Sequence, residues 1–191
     1  MKEVIPEALL GVYINPDDIE KVWRQSGCID FAAFEVCVDA EEVLAFFRQS
    51  TFLANAGLSS EVSQLRFDKG RLCLEPALVN SYFASVVSDF IRHKLLEQNI
   101  DFTFETVMSS SDKVDFLDRA KAAGFRIYLY YVATEDPEIN ISRVRHRVKM
   151  HGHDVPEDKI IERYFRSLDL LVDAIRLSDR AYIFDNSSQN R

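Results

Sequence analysis

The chain has 191 residues, 47% hydrophobic and 28% charged, enough for one domain with a full core. Its 23 basic and 31 acidic residues give a formal net charge of −8, which disfavours a general nucleic-acid or anionic-membrane binder. No apolar run approaches the ~20 residues of a membrane helix, and the N-terminus lacks a signal-peptide cleavage pattern, so a cytoplasmic protein is expected. Cys28, Cys37 and Cys73 form no CxxC and read as reduced thiols.

In chain order, Gly11 to Asn15 is a short apolar strand stopped by Pro16. Asp17 to Gln25 opens with acids suited to a helix N-terminus, and Ala40 to Arg48 is a second helix. Leu65 to Leu74, around Asp68-Lys69-Gly70, reads as a small hairpin near residues 64–75, an excursion from the main sheet. Val79 to Gln98 carries Phe83, Val86, Val87, Phe90, Ile91 and Leu95 at helical spacing. Asp101 to Glu105 is an aromatic, β-branched strand. Met108 to Ser111 reads as a capping loop for a helix from Asp112 to Ala123, with Gly124 just past its end. Phe125 to Ala133 is a long strand, Pro137 to Met150 and Pro156 to Leu177 are helices, and Ala181 to Asp185 is the last strand. The alternation is that of an α/β, doubly wound, mostly parallel sheet with helices on both faces.

Ligands in such sheets bind beyond the C-terminal strand ends. Acids stand there: Asp17 and Asp18, Glu105 beside Thr106, Glu135 and Asp136, and Asp185. They suit Mg²⁺ or substrate hydroxyls, or they cap the following helices. Capping is the expectation for Asp18, Asp136 and Asp185; for Asp17 and Glu105 both readings stand. From Arg143 to His153 the charge reverses, with Arg143 and Arg147 on one helix face and Arg145 on another. Arg163 and Arg166 follow on the next helix. Residues 143–168 therefore read as a basic, lid-like segment that could close over phosphates, or as surface arginines paired with Glu138, Glu157 and Glu162. His146, His151 and His153 have no cysteine nearby and are not read as a metal site; His153 suits a hydrogen bond near phosphate. There is no GxSxG and no GxGxxG.

Tyr13 to Glu20, Asp101 to Ser110, Arg119 to Val132, Arg143 to Leu168 and Tyr182 to Ser187 together resemble the zeta-toxin family of P-loop kinases, in particular its branch of predicted ATPases. The resemblance implies a P-loop kinase-like fold over residues 1–191, and ATP-dependent phosphorylation of a small-molecule hydroxyl with Mg²⁺. It implies a UDP-amino sugar as acceptor and an antitoxin protein as partner. By the same resemblance Asp17 is the general base, Asp89, Glu105 and Thr106 bind substrate, and Arg147 faces phosphate. His153 stands where the toxins have a second lid arginine, and Arg143 is a helper on the Arg147 face. The family's opening strand and GxxxxGK[ST] loop have no counterpart among the six glycines, so the first βα unit is expected to be missing. Truncation is the favoured account, degeneration the other. This chain is then expected to bind ATP weakly or not at all. A non-catalytic binding or regulatory protein of the same fold is the alternative.

Overall fold

A computed structural model describes residue 6, residues 9–150 and residues 154–188. The chain divides into two compact units, Met1–Thr106 and Val107–Arg191.

In the first unit, β1 (Val12–Ile14) and β5 (Phe102–Phe104) form a parallel pair in the register Val12–Phe102, Tyr13–Thr103, Ile14–Phe104. The pair is closed at its start by Gly11, which turns with φ 57°; a Cβ there would lie 2.3 Å from the Asp101 carbonyl oxygen. That carbonyl accepts from the Val12 N–H at 3.0 Å. Helix α1 (Pro16–Ser26) follows β1 without a loop. Asn15 caps it, Pro16 takes the first-turn position that needs no N–H, and Gly27 ends it with φ 74°.

The expected hairpin is present as β3 (Arg66–Asp68) and β4 (Arg71–Cys73), but it is not a lone excursion. A strand not anticipated from sequence, β2 (Cys28–Asp30), pairs antiparallel with β4, giving a three-stranded sheet of order β2-β4-β3. This pairing overturns the expectation of free thiols: Cys28 and Cys73 stand opposite each other and form a disulfide, with Cα atoms 4.0 Å apart. Cys37 is free and exposed. The remaining helices of the unit are α2 (Ala40–Arg48), α3 (Thr51–Asn55), α4 (Ser59–Val62) and α5 (Ser81–Glu97).

Its core is aromatic. Trp23, fully buried, meets Phe47 and Phe83 edge-on at 6.4 and 6.2 Å, and Phe47 stacks on Phe83 at 6.2 Å. Helix α5 buries ten side chains, so it is the element around which α1 and β5 pack. Burying such rings contributes roughly 1.5–3 kcal/mol each before entropy is counted.

In the second unit, α6 (Asp112–Ala122) precedes β6 (Tyr128–Ala133), α7 (Pro137–Lys149), α8 (Glu157–Leu177) and β7 (Arg180–Asp185). Ser111 is the α6 cap residue but makes no side-chain capping bond, contrary to the capping loop expected there. Strands β6 and β7 pair in parallel, Tyr128 opposite Arg180 through Ala133 opposite Asp185. Helices α6 and α7 both pack on α8. Among the described residues the molecule is thus mixed α/β, with a small parallel sheet in each unit and one antiparallel sheet in the first.

Candidate functional site

In the first unit the C-terminal ends of β1 and β5 converge on Glu105. Parallel pairing carries one residue past the strands, where the Glu105 N–H donates to the Ile14 carbonyl at 3.0 Å. Tyr13 and Asn15 are two apart, and alternation along the strand puts them on one face. The Tyr13 hydroxyl donates to Glu105 Oε1, and Asn15 Nδ2 donates to Glu105 Oε2 at 3.0 Å. Burial, and then the bond to Glu105, push the Tyr13 hydroxyl up to about 12.

Asn15 also serves α1. Its Oδ1 accepts from the Asp17 N–H at 2.9 Å and the Asp18 N–H at 3.4 Å. Asp17 therefore stands exposed in the first turn of a helix whose cap is bonded to Glu105. Capping in α1 falls to Asn15, not to Asp18. Asp89 lies in the middle of α5, half-buried, paired with Arg92 and 3.4 Å from His93 Nε2. The Arg92 guanidinium, 5% exposed by residue, lies 5.2 Å over the Phe104 ring, beside Glu105 in sequence. Thr106 is exposed at the end of the unit.

In the second unit the C-terminal ends of β6 and β7 are tied together. Asn186 N–H donates to the Ala133 carbonyl and Glu135 N–H to Ser187 Oγ, both at 2.8 Å. Asp136 caps α7 by accepting from the Glu138 N–H at 2.8 Å, as expected. Asp185 accepts from the Ser187 N–H and hydroxyl at 2.9 and 2.5 Å, which hold it below the usual carboxylate range. It caps its own turn. Arg143 Nη2 donates to the Asn186 carbonyl at 2.5 Å. Arg145 lies against Glu157, with Nε and Nη2 at 2.9 and 2.5 Å from one carboxylate oxygen. Arg166 is 3.4 Å from Glu162. The surface-pair reading thus holds for Arg145 and Arg166. Arg147 is exposed on α7, and His153 lies outside the described residues.

Of the predicted residues, the Asp17 backbone N–H and the Glu105 carboxylate thus share Asn15 as partner in the first unit, and Arg143 and Arg147 both lie on α7 in the second. Sequence reasoning missed Tyr13, Asn15 and Arg92. Asn15-Pro16-Asp17-Asp18 is itself a helix-start signature, and it could have marked Asn15 as the cap.

Nothing among the described residues has the form of a nucleotide phosphate cradle. Gly11, Gly27, Gly57, Gly70 and Gly124 all have positive φ and sit singly at turns and helix ends. No group of three or more His, Cys, Asp or Glu residues could hold a metal ion among the described residues. No helix among them is long and apolar enough to cross a membrane.

A family model described as Zeta toxin matches residues 77–191, more than half of the chain. The match takes in Asp89, Glu105, Thr106, Arg143, Arg147 and His153, and leaves Tyr13, Asn15 and Asp17 outside it. The chain is also 35% identical over 72 residues to an uncharacterized protein of Haemophilus influenzae. That segment is 38% of this chain and 51% of the relative, so the match spans about half the relative's length. No solved structure matches.

Proposed function

Because the chain belongs to the zeta-toxin family, we propose that it is a zeta-toxin-type small-molecule kinase, acting on a hydroxyl of an acceptor such as a UDP-amino sugar. Family membership supports a P-loop kinase fold and nucleotide use. The observation that carries the acceptor side is Glu105: both its oxygens accept hydrogen bonds, next to a helix start that presents Asp17. A carboxylate fixed in this way can receive a hydroxyl proton in a hydrogen bond and orient the oxygen that carries it.

In this reading Asp17 takes the proton of the acceptor hydroxyl. Glu105, Thr106 and Asp89 position the acceptor, Asp89 with its carboxylate braced by Arg92. Arg147 and Arg143 offer planar cationic forks to phosphate, and His153 joins them by sequence alone. ATP, when bound, supplies the phosphoryl group. An antitoxin protein is the proposed macromolecular partner.

A non-catalytic binding protein of the same fold is the second reading, favoured by the lack of a phosphate cradle among the described residues. One experiment separates them. The chain is incubated with radiolabelled ATP at millimolar Mg-ATP and with UDP-N-acetylglucosamine, and label on the sugar nucleotide is counted. Label appears in the kinase reading, and Asp17→Asn lowers its rate roughly 10²–10⁴-fold, the usual worth of a positioned base. Binding of the sugar nucleotide by calorimetry, with no label transferred, would establish the second reading instead.

A further inference from the structure

We propose that Tyr13 and Asn15 are positioning residues that clamp the Glu105 carboxylate, and that Asn15 also locks Glu105 to the turn that carries Asp17. The role given to Glu105 rests on the kinase reading; the clamp itself rests on geometry.

The donor assignment is forced. Asn15 Oδ1 faces two backbone N–H groups, at 2.9 and 3.4 Å, which can only donate. The amide oxygen must therefore point at α1, and the NH₂ must point at Glu105 Oε2, 3.0 Å away. An amide NH₂ cannot accept, so Oε2 accepts. Tyr13 donates to the other oxygen. One strand thus supplies two donors, at positions i and i+2, to the two oxygens of one carboxylate.

The arrangement exceeds what a helix cap needs. Ser and Asp cap as well as Asn, because the cap uses only an acceptor oxygen. Asn places the acceptor for the helix and the donor for Glu105 on two separate atoms, whereas a Ser hydroxyl would have to serve both from a single, shorter-reaching oxygen. A single amide therefore sets the spacing between Asp17's turn and Glu105. Tyr13 shows the same excess, since its ring would pack equally well as Phe.

The test uses the full chain and two readouts. The first is the ionisation of Tyr13, isolated as the difference in tyrosinate absorbance between the wild type and Tyr13→Phe. In the wild type the midpoint is expected to lie well above the ordinary value, pushed up to about 12. With Glu105→Gln the negative acceptor is gone, and the midpoint falls towards the ordinary value of 10.0. A midpoint unmoved by Glu105→Gln overturns the clamp, because burial alone would then hold Tyr13 up.

The second readout is the acceptor KM against kcat, at millimolar Mg-ATP with UDP-N-acetylglucosamine. Tyr13→Phe and Asn15→Ser each raise acceptor KM or lower kcat/KM by roughly tenfold, the size of a lost hydrogen bond to a charged group. Thermal stability stays near that of the wild type, since Ser keeps the cap and Phe keeps the ring. Wild-type kinetics in both variants overturn the proposal. If the wild type transfers no phosphate at all, the kinase reading fails by itself, and the Tyr13 midpoint alone decides the clamp.

Discussion

Arg145 and Arg147 are two positions apart on α7, which turns them roughly 200° from each other. Arg145 spends its donors on Glu157 at the surface, while Arg147 shares the face of Arg143, whose guanidinium reaches the strand-end carbonyl of Asn186. Arg145→Ala is therefore expected to leave phosphate transfer unchanged and to alter stability by under ~1 kcal/mol, as exposed pairs do. Arg147→Ala is expected to abolish transfer, and Arg147→Lys to restore it only in part, because a point charge cannot reproduce two parallel donors. Steady-state assays and urea melts on the three variants check this; equal activity in Arg145→Ala and Arg147→Ala would mark the whole basic run as a solvated face. Tyr13 makes a prediction in pH. Its hydroxyl ionises at 10.0 when unfolded and at about 12 when folded, so folding favours the protonated form. That contribution is complete below pH 10, and it fades as pH climbs towards 12. The stability difference between the wild type and Tyr13→Phe in urea titrations should therefore be the same at pH 7 and 9, whatever its size, and should shift against the wild type at pH 11.

Elements with their own periodicity or punctuation were legible. Helix α2 runs from Ala40 to Arg48 as its acids and apolar spacing indicate, and β1, β5, β7 and the hairpin fall within two residues of their expected places. What escaped depends on partners far away. Strand β2 is three residues with no pattern of its own, and it exists because β4 offers an edge. Helices α3 and α4 have five and four residues, too short to nucleate alone; burial of Leu53 and Val62 holds them. Strand β6 starts at Tyr128 rather than Phe125 because the Phe125 N–H closes the end of α6 on the Ala120 carbonyl, and Ile127 bonds Asp179. The candidate site divides in the same way. Asp17 and Glu105 were legible as acids at strand ends. The clamp was not, because its bonds join residues 92 and 90 positions apart. Buried Arg92 was hidden inside an apolar helix pattern. The β1–β5 pair also gives a test. Gly11→Ala places a methyl group against the Asp101 carbonyl and forces a left-handed φ on a residue with a side chain. A loss of at least about 2 kcal/mol is expected in chemical denaturation, with Glu105 displaced from Tyr13 and Asn15.

Across the whole molecule, apolar burial is uneven. The clustered core, from Val12 to Leu95, lies in the first unit. In the second unit, strands β6 and β7 leave Tyr128, Val132, Tyr182, Ile183 and Phe184 exposed, and α7 buries Ile141 alone among its described residues. Opening free energies follow buried contacts. Amide hydrogen exchange should therefore be slowest in α5 and α1 and markedly faster in α7, β6 and β7. Uniform protection across the chain would contradict this.

The bond between Cys28 and Cys73 has a consequence of another kind. It closes a covalent ring that contains β2, α2, α3, α4 and the hairpin. Lys69, exposed at the hairpin tip with φ 48°, is an accessible trypsin site inside that ring. One cut there breaks the peptide chain without freeing a fragment, because residues 1–69 keep Cys28 and residues 70–191 keep Cys73. The nicked protein should run as a single band on a denaturing gel without reductant, and should part into two when dithiothreitol is added.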